Sequence, residues 1–221
     1  MADRKSIKKY IFTVEGETEK WYLTRLQNII NNSSNSQYNV SFDCQIQKNP
    51  LKRAKSLSIT QMTNVYHFSD YESDEPLHVQ QFIETMDNMQ KANRIGKQLK
   101  YNFGYSNLTF DLWIVLHKSH CNGCLVHRSH YLNPINRAFN ENFESMDDYK
   151  HEDNFKRVLS KIQLEDVQNA VNRSKTIMNR NIENQYTLHE YKGFKYYKEN
   201  PSLSVGDIVG MILSDCGLIQ N

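Results

Sequence analysis

Strand-like segments that alternate with helical stretches constrain the first half of this chain more than any other feature. Four segments have the patterning of β-strands, and each precedes a stretch whose apolar or charged residues have helical spacing. The predicted strands cover residues 9–14, 40–47, 64–69 and 100–105, and the predicted helices cover 17–30, 50–57, 77–93 and 107–117. This alternation predicts an α/β fold, in which helices flank a parallel sheet with right-handed crossovers.

The second half of the chain has a different pattern. From residue 133 onward it is mainly helical, with predicted helices at 134–139, 153–161, 165–178 and 204–213. We find no internal repeat and no low-complexity segment. We therefore predict an α/β domain at residues 1–125 and a helical C-terminal region at residues 126–221, which packs on the first part and completes or covers its site.

Composition excludes several classes of protein. The 221 residues are 38% hydrophobic and 24% charged, which describes a globular chain. The net charge is only +2, so any nucleic-acid surface must come from local clustering of charge. No window approaches the roughly 20 apolar residues of a membrane-spanning helix, and four cysteines do not make a secreted disulfide framework. We therefore expect a cytoplasmic protein without membrane contact.

Acidic residues follow two of the predicted strands. Glu15 comes directly after one strand, and Asp70 and Glu72 follow another. Ligands of open parallel sheets bind at the carboxyl ends of the strands, and residues two apart in extended backbone face the same way. Carboxylates that converge repel one another unless a cation neutralises them, and Mg²⁺ suits such a site. A solvated acidic loop is the alternative, with Glu17 and Glu19 as ordinary first-turn helix acids.

Four segments resemble known protein families. Val14-Glu15-Gly16-Glu17-Thr18-Glu19 is similar to the Glu-Gly signature that opens Toprim domains, and Asp70-Tyr71-Glu72 falls where such domains carry an Asp-x-Asp pair. Ser106-Asn107-Leu-Thr-Phe110-Asp111-Leu-Trp113-Ile-Val-Leu116-His117 is similar to the Ser-Asn-Pro-x-Phe-Glu-x-Trp-Leu-Leu-Leu-His segment of the RloB-like family. Asn200-Pro201-Ser202 also resembles that family's C-terminal segment. The matches run in the family's order over roughly residues 8–213.

The resemblance implies a Toprim-like, metal-dependent nuclease of a family associated with bacterial phage defence and restriction. It assigns an acid/base role to Glu15, and it assigns metal binding to Asp70 and Glu72. The sequence departs from the family pattern at three positions: Glu72 replaces an aspartate, Asp111 replaces a glutamate and Leu108 replaces a proline. Asp74 is a possible substitute metal ligand.

Asn107 and Asp111 are two polar residues of the third segment. If Asn107 caps the predicted helix, the two residues lie one turn apart and share a face. Asp111 stands within an apolar run, where an unpaired carboxylate is costly, so it needs a metal, a lysine or a backbone N–H as partner. Asn107 is equally compatible with a plain helix cap. For Asp111 we favour a role in the site over a buried ion pair.

A cysteine–histidine cluster occupies residues 117–130. Cys121 and Cys124 form a Cys-x-x-Cys pair that can begin a structural zinc site. No second such pair exists, and all ligands would come from one short loop, so we favour a polar loop over zinc or a redox dithiol. Arg128 of this loop is a candidate contact for phosphate.

Two basic stretches are candidate nucleic-acid contacts. One contains Lys91, Arg94, Lys97 and Lys100, and the other contains Lys192, Lys195 and Lys198 among aromatic residues. Charge mixed with stacking surfaces is typical of single-strand and RNA binding. Solvated helix faces and a packed aromatic loop are the alternative interpretations.

These patterns lead to one functional hypothesis with two alternatives. We expect Mg²⁺- or Mn²⁺-dependent cleavage of phosphodiester bonds in DNA or RNA, possibly tRNA, in anti-phage defence, with a regulatory partner protein. The catalytic candidates are Glu15, Asp111 and Asn107, and the metal candidates are Asp70, Glu72 and Asp74. The alternatives are a catalytically weak nucleic-acid-binding or sensor subunit and a small-molecule phosphoesterase.

Overall fold

The computed structural model describes residues 5–220, which form a sheet covered by helices on both faces. The strands of the main sheet are β1 (Ile7–Val14), β2 (Asn39–Ile46), β3 (Thr63–Tyr71), β4 (Leu99–Asn107) and β7 (Ser202–Leu203). The helices are α1 (Glu17–Asn32), α2 (Pro50–Ser56), α3 (Pro76–Ala92), α4 (Asp111–Leu116), α5 (Leu132–Phe139), α6 (Met146–Lys150), α7 (Glu152–Ser160), α8 (Leu164–Glu183) and α9 (Val205–Asp215). All four predicted strands are confirmed, and so is the α/β fold class.

The order of the strands locates the ligand-binding edge. The order across the sheet is β2-β1-β3-β4-β7; the first four strands are parallel, and β7 is antiparallel to β4. The chain moves outward from β1 to β2, then crosses back to β3 on the other side of β1. The direction of winding therefore reverses between β1 and β3, and such a switch point opens a crevice at the carboxyl ends of the two strands.

Alternation along the strands builds a core on each face of the sheet. Tyr10, Phe12 and Val14 of β1 pack into one core with α1, α4, α8 and α9. On the other face, Val65 and Tyr71 of β3 pack with α2 and α3. Buried parallel strands require apolar residues on both faces, which explains why β1 and β3 read as nearly continuous hydrophobic runs in the sequence.

The C-terminal half contributes to the sheet as well as covering it. β7 pairs with the end of β4, and α9 packs against β4 and α8. A separate hairpin of β5 (His189–Tyr191) and β6 (Phe194–Tyr196) packs near α3. The sequence had predicted neither this hairpin nor β7 nor α6. The division of the chain at residue 125 stays a prediction.

No helix within residues 5–220 is both long and apolar enough to cross a bilayer.

Candidate functional site

Glu15 and Asp70 lie at the switch point of the sheet. Glu15 directly follows β1, and Asp70 is the penultimate residue of the neighbouring β3. The Ser69 hydroxyl donates a hydrogen bond to Glu15 Oε1 at 2.7 Å, which joins the two strand ends. The strands hold both carboxylates at this edge, as the sequence predicted, and both line one cleft of about 310 Å³.

Glu19 is a third carboxylate of this region. It occupies the first turn of α1, where it heads the buried stripe that continues through Tyr22, Leu23 and Leu26. Its side chain is therefore carried inward with that stripe, and its charge acts on both Glu15 and Asp70. Interpreting Glu19 as an ordinary first-turn acid missed this placement, although its position on the apolar face is visible in the sequence.

Asp111 brings a fourth carboxylate from α4, together with a cation from α6. Asp111 is 1% exposed, and its Oδ2 accepts a hydrogen bond from the Thr109 hydroxyl at 3.0 Å. Lys150 Nζ lies 3.0 Å from the same oxygen. The prediction that this buried carboxylate needs a partner is confirmed, and the partner is a lysine that no pattern in the sequence had indicated.

Burial, followed by repulsion between carboxylates, raises the pKa values of Glu15 and Asp70. Burial first, and then the charge of Glu19, raise the pKa of Glu15 to about 7, against the opposing effects of the Ser69 hydrogen bond and the Lys48 charge. Burial and the neighbouring carboxylates also hold the pKa of Asp70 well above its usual range, and burial raises that of Glu19. Burial opposes the charge on Lys150, yet Asp111, Asp70 and Glu19 together raise its pKa. The site thus holds more negative charge than Lys150 offsets.

Tyr149 places a buried phenol beside these acids. Its ring is fully buried between Phe143 and Phe155. Burial and the nearby charge of Asp111 raise the pKa of this phenol well above its usual value.

We call Glu15, Glu19, Asp70, Asp111 and Lys150 the carboxylate cluster.

Comparison with protein families supports the resemblance. The RloB-like protein family matches residues 10–212, a span that includes every member of the carboxylate cluster. The chain belongs to the RloB-like protein family. Comparisons with curated proteins and with solved structures gave no match.

The other predicted metal ligands of this RloB-like protein differ in position. Glu72 lines the cleft, but its Oε2 lies 3.4 Å from His78 Nε2 and 3.5 Å from Arg128 Nη1. Asp74 accepts a hydrogen bond from the Tyr71 hydroxyl at 2.6 Å and lines a different groove beside α3. The structure therefore groups Glu72 and Arg128 with the cleft and places Asp74 outside it.

Asn107 does not cap a helix, contrary to the sequence prediction. It is the last residue of β4, where it pairs with Ser202 of β7, and α4 begins only at Asp111. Asn107 and Asp111 thus do not share a helical face. The Asn107 amide donates to the carbonyl oxygen of Lys198 at 2.7 Å. This buried amide therefore fixes the segment that leads into β7.

The first basic stretch lies at the opposite edge of the sheet. Lys91 is near the end of α3, and Arg94 and Lys97 follow it before β4 begins. β4 spans about 26 Å, so these residues lie far from the carboxyl edge. Lys97 Nζ donates to the carbonyl oxygens of Ala54, Lys55 and Leu57 at 2.6–3.0 Å, which closes the C-terminus of α2. Its donors are thereby occupied within the protein.

The second basic stretch forms the β5–β6 hairpin and the segment after it. Lys192 and Gly193 form its turn, with positive φ angles of 54° and 85°. Lys192, Lys195 and Lys198 are exposed, but Tyr196 packs on Tyr71 and Phe82, and Phe194 packs on Phe103. These two aromatic rings therefore contribute to the core, which favours the packed-loop interpretation over stacking of bases.

The cysteine–histidine cluster is a loop with two unlike thiols. Residues 120–127 have no regular secondary structure, as predicted. Cys121 is buried against the main core, where burial raises the pKa of its thiol, whereas Cys124 is exposed. His117, at the end of α4, is fully enclosed between Tyr22 and the Trp113 carbonyl. It lies in the core, away from the cleft.

The donor chemistry of the carboxylate cluster fits a hard divalent cation. Within residues 5–220, no three histidine, cysteine or acidic side chains converge closely enough to hold one ion together. Mg²⁺ commonly takes only one or two protein carboxylates and completes its octahedron with water and phosphate oxygens. Asp70 suits this role, because burial and then the neighbouring carboxylates raise its pKa, and a cation relieves that repulsion.

Proposed function

We propose that this RloB-like protein is a divalent-metal-dependent nuclease that hydrolyses phosphodiester bonds in DNA or RNA, including tRNA. The observation that supports it most is the excess of carboxylates over lysine at the switch point of the sheet. Uncompensated buried carboxylates cost stability, and perturbed pKa values in a cleft are typical of functional sites. Family membership and the resemblance to Toprim nucleases point to the same chemistry, in anti-phage defence.

The proposed division of roles follows the geometry. Asp70 would hold the metal, with Glu72 or Glu19 as an additional ligand. A bound Mg²⁺ or Mn²⁺ supplies Lewis-acid polarisation of the scissile phosphate. Glu15 has a pKa of about 7, so both of its protonation states are populated near neutral pH. It is therefore suited to move a proton to or from the attacking or leaving oxygen.

Lys150 and Asp111 complete the proposed mechanism. Asp111 orients Lys150 by the 3.0 Å ion pair, and the raised pKa of Lys150 keeps its ammonium group charged. A fixed positive charge beside the metal carboxylates stabilises the negative charge that develops on a phosphoryl group during hydrolysis. At the rim of the cleft, Lys48 and Arg128 are suited to neutralise flanking phosphates.

A catalytically weak nucleic-acid-binding subunit is the second candidate. The contacts of Glu72 favour it, because His78 and Arg128 both lie within 3.5 Å of its carboxylate. A glutamate that keeps these contacts is not free to bind metal, and Asp70 alone holds Mg²⁺ weakly.

A cleavage panel separates the two candidates. Labelled single-stranded DNA, duplex DNA, single-stranded RNA and tRNA are incubated with the protein in EDTA and in increasing Mg²⁺ or Mn²⁺. The nuclease proposal predicts metal-dependent cleavage of at least one polymer and little turnover of a small phosphodiester such as bis(p-nitrophenyl) phosphate. Tight binding of a polymer without cleavage at any metal concentration supports the second candidate, and turnover of the small ester alone supports a phosphoesterase.

A further inference from the structure

The cleft beside Glu15 extends away from the carboxylate cluster along α3. It has a volume of about 310 Å³, at the lower end of the range for small-molecule sites. The ends of β1, β2 and β3 form one wall, and polar residues of α3 form the other. Two polar residues of this lining, Thr85 and Asn88, are not used by the mechanism above.

The α3 wall of the cleft is unusual for a helix that packs on a sheet. Such a helix normally turns an apolar stripe inward, and α3 does so with Phe82, Met86 and Met89. Beside that stripe, Thr85 and Asn88 are also buried, with only 8% and 9% of their surfaces exposed. Both line the cleft, so the helix directs polar groups into it.

Asn88 presents its side-chain amide to the cleft. The Thr85 hydroxyl donates to the Gln81 carbonyl oxygen at 3.0 Å, but the Asn88 side chain makes no hydrogen bond to another residue within 5–220. The amide is therefore available to a ligand in the cleft. An asparagine amide offers a donor beside an acceptor, the arrangement that pairs in a bidentate manner with the edge of a nucleobase.

The surroundings of Asn88 fit a base attached to a phosphate chain. Glu15 and Asp70 lie in the same cleft, and Lys48 stands at its rim after β2. A base can enter such a cleft only when it is unstacked, as in a single strand or a flipped nucleotide.

We infer that this cleft binds one unstacked nucleobase next to the scissile phosphate, and that the Asn88 amide reads the edge of that base. This inference rests on the proposed function, because it names the substrate feature that the same site recognises. Asn88 is thus a specificity-determining residue.

An abasic scan tests the inference without cleavage. Single-stranded oligonucleotides, each with one abasic position, are titrated by fluorescence anisotropy in EDTA against four proteins. These are the wild type, Asn88→Leu, the isosteric Asn88→Asp and the control Gln80→Leu, which removes an exposed amide of α3 that lines a different groove. Thermal unfolding of each variant verifies that it is folded.

We expect that removing the base and removing the Asn88 amide weaken binding through loss of the same contact, so that the two losses of affinity do not add. In the wild type and in Gln80→Leu, one abasic position weakens binding about 10-fold. Asn88→Leu weakens binding of the intact strand by a similar factor and shows no further loss at that position. Asn88→Asp changes which base is preferred there, because its carboxylate lacks the donor.

Two results overturn the inference. In the first, Asn88→Leu binds the intact strand as the wild type does, or it keeps the full abasic effect. In the second, every variant binds and cleaves, but no abasic position weakens binding. That result would contradict the base-binding inference but not the nuclease proposal. Failure of all single strands to bind, together with no metal-dependent cleavage, overturns the proposed function as well.

Discussion

Lys150 Nζ lies 3.0 Å from Asp111 Oδ2, so a lysine from the C-terminal half neutralises a buried carboxylate at the edge of the sheet. The pair joins α6 to α4 and brings its positive charge next to Asp70 and Glu19. This contact makes the C-terminal region part of the proposed site.

Lys150→Met should lower both stability and activity. The substitution leaves Asp111 buried without its cation, and breaking a buried ion pair is destabilising. Because Lys150 is partly exposed, we expect a loss of only about 1–3 kcal/mol in the free energy of unfolding. Cleavage should fall about 100-fold through loss of the charge near the phosphate. Urea unfolding and single-turnover cleavage measure the two effects.

The double variant Asp111→Asn with Lys150→Met provides the control. It removes both charges, so stability should recover while cleavage stays low. Recovery of cleavage together with stability would show that Lys150 has only a structural role.

Glu15→Gln should stabilise the metal-free protein at pH 8. Burial and Glu19 raise the pKa of Glu15 to about 7 in the folded state, above its ordinary value of 4.5. A carboxylate whose pKa is raised by folding reduces stability above that folded pKa, and the effect disappears below the unfolded pKa. We expect a gain on the order of 2 kcal/mol at pH 8 that is lost by about pH 4.

Thermal and urea unfolding across pH measure this gain. The exposed Glu183→Gln serves as control and should change stability little. If Glu15→Gln destabilises the protein at pH 8, the repulsion described for this site is absent.

Metal binding should depend on Asp70 and not on Asp74. The two aspartates are four residues apart, but only Asp70 lies within the carboxylate cluster, and Asp74 is bonded to the Tyr71 hydroxyl. We expect Asp70→Asn to weaken Mn²⁺ binding at least about 10-fold. Glu72→Gln should weaken it less, and Asp74→Asn should leave it unchanged. Isothermal titration calorimetry measures the three affinities, and a dominant loss in Asp74→Asn would move the metal to the other groove.

Acid should destabilise the fold through His67. Burial lowers the pKa of His67 to about 3, so the folded state holds it neutral, while the unfolded chain protonates it near pH 6.5. The unfolded state then binds more protons, and stability falls as pH drops from about 6.5 toward 3. The stability advantage of the wild type over His67→Gln should therefore shrink by about 2 kcal/mol between pH 7 and pH 5. A pH-independent difference in urea unfolding would contradict this.

Nucleic-acid affinity should follow the cleft cations and not Lys97. Lys48→Met and Arg128→Met each remove a charge at the carboxyl edge, whereas Lys97 binds three backbone carbonyl groups at the end of α2. In EDTA, the first two variants should bind a single strand more weakly and with a salt slope lower by about 0.7–0.9 each. Lys97→Met should lose stability but keep its affinity; the reverse pattern would place nucleic acid at the opposite edge.

The sequence predicted the parts of the site that local pattern controls. Glu15 and Asp70 follow apolar strands, and in a parallel sheet such strands end at the same edge, so their placement followed from residue order alone. The need of Asp111 for a partner also followed from its apolar neighbours. Glu19 was predictable in principle, because it lies on the apolar stripe of α1.

The remaining parts of the site depend on contacts between distant segments. Lys150 reaches Asp111 from α6, a five-residue helix too short to produce a periodic pattern. Asn107 was predicted as a helix cap from its local context, but pairing with Ser202 in β7 keeps it in a strand. In the same way, the aromatic residues of the β5–β6 hairpin have a pattern suited to base stacking, yet α3 and β4 bury Tyr196 and contact Phe194.

Single-turnover cleavage by the wild type, Asp70→Asn and Asp74→Asn in saturating Mg²⁺ tests the central claim most directly. The substrate is whichever labelled polymer the wild type cleaves fastest. We predict that Asp70→Asn loses about 1000-fold or more in rate while remaining folded, and that Asp74→Asn stays within about threefold of the wild type. An Asp70→Asn variant that cleaves at the wild-type rate would contradict the assignment of metal-dependent catalysis to this edge of the sheet.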